Sequence, residues 1–408
     1  MTRNRLATIF LIVFVDLVGF GMILPLLPFY AESFGASAEV VGLLATAYAA
    51  AQFVGAPVLG RLSDRFGRRP LLLVSVLGTA VGFVIMGLAG SLAVLFASRI
   101  LAGLTGGNIS VAQAYITDVT DAKNRTRGLG MIGAAFGLGF IIGPALGGAL
   151  SAGGYSLPAF VAAGLATLNL AAIAVILPES LTPERRAELA RDRRPAFTPR
   201  ALADALSRRT VGPLLHTRFF TGLAMATFQS TFALHAQFQL NLGAQQTGYV
   251  LAYVGVLAVV VQGWAIGRLS ARLSDARLIL SGVVLGAIGL LAWAFSPTWE
   301  VLLVALVPLA VSTGILNTIL NSALTKAVLP VEIGGTLGLS SAVESLTRVI
   351  GPILGGVLLE RVAAPAPGVV AAGLMALLVS YVARRLTTDL QTAQPASQSP
   401  VSEPASAS

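Results

Sequence analysis

The sequence predicts an all-α membrane protein made of two pseudo-symmetric bundles of six transmembrane helices. Three observations carry that prediction: long apolar runs, positive charge gathered into one set of loops, and an internal repeat. The 408-residue chain is 55% hydrophobic and only 11% charged, with a mean hydropathy of +0.82, too apolar for a soluble protein of this length. Runs of about 20 residues are long enough to cross roughly 30 Å of hydrocarbon. They fall near 6–30, 40–59, 70–89, 92–117, 128–150 and 157–177, and again near 214–240, 246–267, 277–295, 299–325, 335–358 and 367–386. The expected units are an N-terminal bundle (1–177), a basic cytoplasmic linker (178–213), a C-terminal bundle (214–390) and a disordered cytoplasmic tail (391–408).

With both termini cytoplasmic, 24 of the 27 Lys and Arg residues fall on the inside, and the positive-inside bias selects that orientation in the cytoplasmic membrane. Arg99 and Arg348 fall within runs, and Arg361 alone falls outside. A net charge of +9 would suggest nucleic acid in a soluble protein. In loops between apolar runs it points to anionic membrane lipids instead, and no nucleic-acid partner is expected. The absence of cysteine and the presence of only two histidines, His216 and His235, leave no disulfide, thiolate nucleophile or metal cluster to expect. No glycine-rich loop ends in lysine and serine or threonine, so no built-in nucleotide-driven motor is expected.

The first run follows MTRNR like a signal peptide, but its length and Asp16 mark an uncleaved helix. An acid inside an apolar helix costs about 2.5–3.5 kcal/mol on insertion scales, so Asp16 needs a cation, a watery cavity or a proton. The spacing of Asp16, Gly19, Gly21, Pro25 and Pro28 resembles the first helix of the tetracycline-type branch of the drug:proton antiporters. Two roles stand for Asp16: a proton-coupling acid, or a structural partner for a loop arginine.

Between the second and third runs, Gly60 to Pro70 reads GRLSDRFGRRP and is expected to be a loop. Asp64 is placed to pair with Arg61, Arg65, Arg68 or Arg69, or to cap a neighbouring helix N-terminus. Gly60 and Gly67 are expected to let the backbone turn tightly and helices come close. The segment resembles the loop between the second and third helices of the major facilitator superfamily, and the pattern is complete. The resemblance implies a gating loop of Gly60, Asp64, Arg65, Gly67, Arg68 and Arg69; a purely topological loop is the alternative.

In the fourth run, Arg99, Gly103 and Gly107 resemble the superfamily's fourth-helix motif, whose arginine is associated with proton coupling. A guanidinium stays protonated, so Arg99 is expected to hold a nearby carboxylate ionised rather than to carry the proton. Asn108 and Tyr115 add polar groups suited to substrate, and Asp118 is expected to form a solvated pair with Lys123 or Arg125. The fifth run carries Gly130, Gly139, Gly143, Pro144, Gly147 and Gly148. Small residues at this spacing let helices pack backbone to backbone, and the set resembles the superfamily's antiporter motif.

In the linker, Thr182 before Pro183 and Thr198 before Pro199 each resemble an N-cap with proline at the first helical position. Leu202, Leu206 and the surrounding arginines suggest a short helix on the membrane surface. The seventh run aligns Phe228, Phe232, His235 and Gln239 in one stripe, and the tenth adds Asn317 and Asn321. Aromatic surface with a few amides suits a flat, largely apolar organic molecule; ordinary interhelical hydrogen bonding for each residue taken singly, or for His235 solvation, is the alternative. In the eleventh run Glu344 and Arg348 lie four apart on one face, either a static bridge or a carboxylate whose proton affinity changes when the arginine moves.

The repeat ties the halves together. Gly130, Gly143, Pro144, Gly147 and Gly148 recur 208 residues later as Gly338, Gly351, Pro352, Gly355 and Gly356. GRLSARLSDAR from Gly267 echoes the Gly60 segment, with Ala271 where Asp64 stands. Transporters are commonly built from such repeats, with the substrate near the midplane between them.

The resemblance to the tetracycline-type branch spans all the runs. It implies a major facilitator fold and proton-coupled efflux of an amphiphilic organic compound, with Asp16, Arg99, Glu344 and Arg348 as coupling residues. The expected partners are that substrate, protons and anionic lipids. The proton gradient supplies the energy, no cofactor is expected, and the chain is expected to be monomeric and not an enzyme. Tetracycline exporters carry aspartates in helices three and nine where Gly82 and Gly286 align here, so a different or broader amphiphile is the expected substrate. The alternatives are a proton symporter or uniporter of a small metabolite, and a non-transporting membrane sensor or scaffold. The sequence shows little charge suited to an anionic substrate.

Overall fold

In the computed structural model, which describes residues 2–186, 199–329 and 332–392, long helices account for nearly the whole chain. The first half contains α1 (Thr2–Ile23), α2 (Ala38–Phe66), α3 (Arg68–Gly87), α4 in two pieces (Leu92–Leu104 and Asn108–Val119), α5 (Ala122–Leu150) and α6 (Ser156–Ile176). The second half contains α7 (Gly212–Leu240), α8 (Ala244–Val260, a π-helical turn Val261–Ala265, then Ile266–Ser270), α9 (Asp275–Ala294), α10 (Trp299–Lys326), α11 (Ile333–Arg361) and α12 (Ala366–Thr392). Lys123, Arg3 and Arg127 have no described side chain, and Thr198 and most of the tail lie outside the described residues.

Eleven of these helices are long and apolar enough to cross a membrane. The twelfth, α7, has 29 residues but also carries His216, Arg218, Gln229, His235, Gln237 and Gln239. Much of its polarity is hidden in protein: Thr217, Arg218, Thr221, Thr227, Thr231 and His235 are all buried, while Gln229 and Gln239 are exposed. Polar groups at membrane depth are tolerated where neighbouring helices, not lipid, surround them.

Three expected boundaries change. The first run does not reach residue 30, because the chain turns at Pro25 and a short helix, Leu27–Glu32, follows. The fourth run breaks at Thr105–Gly107. The Gly60–Pro70 loop shrinks to one residue: α2 continues through Gly60 to Phe66, and Gly67, at φ +108°, alone separates it from α3. That backbone conformation favours glycine. The linker helix Pro199–Ser207 forms as expected, but Ala205 and Leu206 pack on the core of the second half instead of leaving that face to lipid. Thr182 acts as an N-cap, accepting from the Arg185 N–H at 3.3 Å.

The repeat is visible in packing. On α5, a Cβ at Gly143 would meet the Gly21 backbone at 2.8 Å, and Gly147 abuts the Met22 carbonyl; both contacts are with α1. On α11, a Cβ at Gly351 would meet the Thr227 N–H at 2.9 Å, and one at Gly355 the Thr231 methyl at 2.6 Å; both contacts are with α7. The next glycines cross between halves, Gly148 onto Gln245 and Gly248 of α8, and Gly356 onto Ala38 and Glu39 of α2. The two halves therefore meet through α2 against α11 and α5 against α8.

These contacts lie toward one end. There, Leu234 and Leu359 of the second half join Leu27, Tyr30, Ala38, Val41 and Leu44 of the first in one apolar cluster. Arg361 reaches Glu39 through Nε and Nη2 at 2.8–3.1 Å, and the Ala38 N–H donates to Glu360 at 2.9 Å. At the other end of the same four helices, Gly60, Gly130, Gly133, Gly263, Gly267, Gly334, Gly335 and Gly338 face open space. The bundles are thus sealed at the Glu39–Arg361 end and splayed at the Asp64 end.

Candidate functional site

The first half places Asp16 beside the break in α4. Thr105 turns its hydroxyl back onto Leu101 at 2.9 Å, and Gly106 and Gly107 follow. The freed Gly106 carbonyl accepts from Gln52 at 3.2 Å, and Gln52 also donates to the Tyr48 hydroxyl at 3.2 Å. The break starts a new helix at Asn108, whose side-chain amide donates to Asp16 Oδ2. Asp16 Oδ1 is buried without a partner among the described residues. A carboxylate with one oxygen unused, in apolar surroundings, is a place for a proton or a cation.

Arg99 departs from expectation, for no acid pairs with it among the described residues. Its guanidinium lies 5.9 Å from the ring centroids of both Tyr48 and Phe83, and its Nη2 has no hydrogen-bond acceptor. Aromatic faces, not a carboxylate, compensate this buried cation. Gly103 brings α4 against α2, where a Cβ would stand 2.7 Å from the Ala51 methyl.

In the second half Glu344 is held from two sides. Arg348 donates to Oε1 at 2.6 Å, as the four-residue spacing predicted, and Arg218 from α7 donates to Oε2. Arg218 was counted among the cytoplasmic cations, yet its side chain is 9% exposed. Its Nη1 donates to Asn317 at 3.3 Å, and its Nε has no partner. A cavity of about 130 Å³ opens here, lined by Arg218, Thr221, Met225, Asn317, Glu344 and Arg348 among others. The second half therefore does hold charge suited to an anion. In the sequence, the polar residues Arg218, Thr221 and Gln229, at steps of 3 and 8 on one helical face, were the signal for it.

Of the other candidate substrate residues, only Asn317 lines this cavity. Phe228, Phe232 and His235 pack around Trp293 instead, with ring centroids 4.8, 6.4 and 4.5 Å from it, inside the core of their half. His235 is neither cavity-lining nor solvated: its Nδ1–H donates to the Ala364 carbonyl at 2.9 Å, and it is 1% exposed. Tyr115 is buried, donating to the Pro178 carbonyl at 3.0 Å. Asn108 is engaged by Asp16, while Gln239 and Asn321 are exposed. Helical periodicity put the aromatic residues on one face correctly, but it does not say what that face meets.

The α2–α3 junction is a closed network. Arg68 is buried and pairs with Asp64 at 2.6 Å and Asp118 at 2.9 Å. Asp118 binds Arg68 and also accepts from Ser180; among the described residues it does not make the expected pair with Arg125, and the expected pair with Lys123 falls on a side chain outside them. The cap on α3 is Glu179, not Asp64: its carboxylate accepts from the Arg68 and Arg69 N–H groups at 2.9 and 3.1 Å. Arg69 donates to the Ile173 and Ala174 carbonyls at the end of α6, and Arg65 lies 5.3 Å over the Phe66 ring. Gly60 sits mid-helix in open space, making no turn and no close approach.

In the glycine series of α5, Gly139, Gly143, Gly147 and Pro144 meet α1, and Gly148 meets α8. Gly130 touches nothing and takes no part in this packing. Gly82 and Gly286 are also packing positions, where a Cβ would stand 3.2 Å from Ala102 and 2.7 Å from the Ser312 hydroxyl, respectively.

The family model described as Major Facilitator Superfamily matches residues 9–274 and 214–406. The chain belongs to the major facilitator superfamily. Within it, the chain is 34% identical over 357 residues to "Tetracycline resistance protein, class C" of Escherichia coli, covering 86% of this chain and 89% of that one. It is 29% identical over 369 residues to "Multidrug resistance protein 2" of Bacillus subtilis (strain 168), covering 88% and 90%. Among solved structures, a bacterial homologue of the human lysosomal transporter Spinster, in an inward-facing and occupied conformation, matches with a TM-score of 0.78 at 15% identity, over 95% of this chain and 97% of that one. The major facilitator fold and an integral membrane transporter follow.

Proposed function

We propose that this transporter exports an amphiphilic organic compound in exchange for protons, residing in the cytoplasmic membrane with both termini inside. The observation that carries this reading is Asp16, whose unpartnered oxygen lies in apolar surroundings beside the α4 break. A proton and a cationic group compete for such an acid, and competition is what exchange requires. The seal at the Glu39–Arg361 end and the open glycines at the other correspond, in this orientation, to a chamber facing the cytoplasm. The names of the tetracycline and multidrug resistance relatives agree with an exported amphiphile.

A second reading, proton symport, is favoured by Glu344. Protonating an acid held by Arg218 and Arg348 releases both cations to take an anion along with the proton. Reconstituted vesicles with an imposed pH gradient separate the two. An acidic lumen drives accumulation of substrate by exchange, an acidic bath drives it by symport, and binding without flux leaves a sensor.

A further inference from the structure

We infer that the cavity between α7, α10 and α11 is a seat for an anionic group, and that the substrate is an amphiphile bearing a carboxylate or sulfonate. This rests on the proposed reading of the chain as a transporter, and takes the cavity as the place where its substrate binds. Two guanidiniums, Arg218 and Arg348, face one carboxylate, Glu344, which leaves one positive charge at membrane depth. Both Glu344 oxygens are already taken by the two arginines. What the cavity has to spare is donors. Among the described residues, Arg218 Nε is buried and unpartnered, Arg348 uses one nitrogen on Glu344 and is 59% exposed, and Asn317 commits its carbonyl oxygen to Arg218 while its amide NH₂ has no acceptor.

An orphaned guanidinium N–H is costly to bury and calls for an acceptor. Paired guanidiniums with an amide match the planar oxygens of a carboxylate, or those of a sulfonate. Met225, Ala226 and Leu316 complete the lining with apolar surface, so the ligand has an apolar body as well as a charged end. The seat also faces the other half: the Thr46 hydroxyl of α2 donates to the Val349 carbonyl, next to Arg348, at 2.9 Å. If the substrate carries a cationic group too, that group competes with the proton at Asp16 and exchange is preserved. A substrate with only the anionic charge travels with the proton.

The test is equilibrium binding to the purified full-length protein in detergent, using three probes that share one ring system: 2-naphthoate, 2-naphthylmethylamine and 2-naphthol. The anion is expected to bind at least about tenfold more tightly than the amine or the alcohol. Arg348→Gln is expected to remove that preference and Arg348→Lys to restore part of it. Because Arg348 is exposed, the folded state should survive both changes. Equal affinity for the three probes, or a preference that Arg348→Gln leaves intact, overturns the anion seat. A pH gradient that drives no flux, with the Arg348-dependent preference present, overturns the transport reading and leaves the seat standing.

Discussion

The Thr46 hydroxyl of α2 and the Val349 carbonyl of α11, 2.9 Å apart, join the two halves one residue beyond Arg348. From that point to the Glu39–Arg361 pair the halves are in contact, with the Pro352 carbonyl against Gly42 and Gly356 against Ala38. The charged cavity thus lies directly beneath the seal, and anything bound at Arg218, Glu344 and Arg348 is placed to bias whether the seal holds. A ligand shifts such an equilibrium only by its differential affinity for the two states.

Asp64→Asn removes one of the two carboxylates on buried Arg68, leaving Asp118 to hold it. The protein is expected to insert normally and to transport several-fold more slowly, because a helix junction whose ion pairs change partners during the cycle needs only a few kcal/mol of bias. Unchanged flux in vesicles would reduce the junction to a topological device.

Gly143→Leu places a large side chain where even a Cβ stands 2.8 Å from Gly21 and from the Val18 carbonyl. Overpacking of this kind costs about 1–3 kcal/mol, and here it falls between α5 and α1. Transport is expected to be lost or uncoupled from the proton, read as substrate flux against proton flux in the same vesicles. Gly130→Ala, with nothing nearby to meet, serves as the comparison for packing in this state.

Asp16→Asn and Glu344→Gln are expected to abolish transport driven by a pH gradient while sparing substrate binding. Leucine would serve packing better than either acid at membrane depth, so each acid implies a cation or a proton to compensate it. If both variants keep parental pH-driven rates, coupling lies elsewhere. Asp118 is then the next acid to test, although it already shares Arg68 with Asp64.

Arg361→Ala tests the seal. The Arg361 side chain is 66% exposed, so its pair with Glu39 contributes at most about 1 kcal/mol. A modest shift toward the state open at that end is expected, and the natural absence of cysteine makes it measurable without background. A single Thr46→Cys should react faster with a membrane-impermeant maleimide in the Arg361→Ala protein. An unchanged labelling rate would mean that the seal holds without this pair, on the apolar cluster of Leu234 and Leu359, the Ala38–Glu360 hydrogen bond and the glycine contacts.

The helices, the repeat and the Glu344–Arg348 pair were legible in the sequence because each depends on spacing within a single segment. Arg218 was not, because its partner lies 126 residues away and a cation near a run's end reads as a loop charge. Glu179 escaped notice for the same reason, since it caps a helix that begins 111 residues before it. The aromatic stripe of α7 was seen but misplaced, because nothing in its periodicity announces that Trp293 of α9 packs against it.

The glycines at the splayed end bear on the way this chain is constrained. Gly42, Gly148 and Gly356 are required by what they touch here, whereas Gly60, Gly130 and Gly338, on the same helices, touch nothing among the described residues. One arrangement of the two halves engages only one row of small residues, like a two-position latch with one socket filled. For helices that rock against each other, the empty row is where the second position is specified. A side chain added there is silent in the present arrangement, and its cost appears only when the opposite end closes.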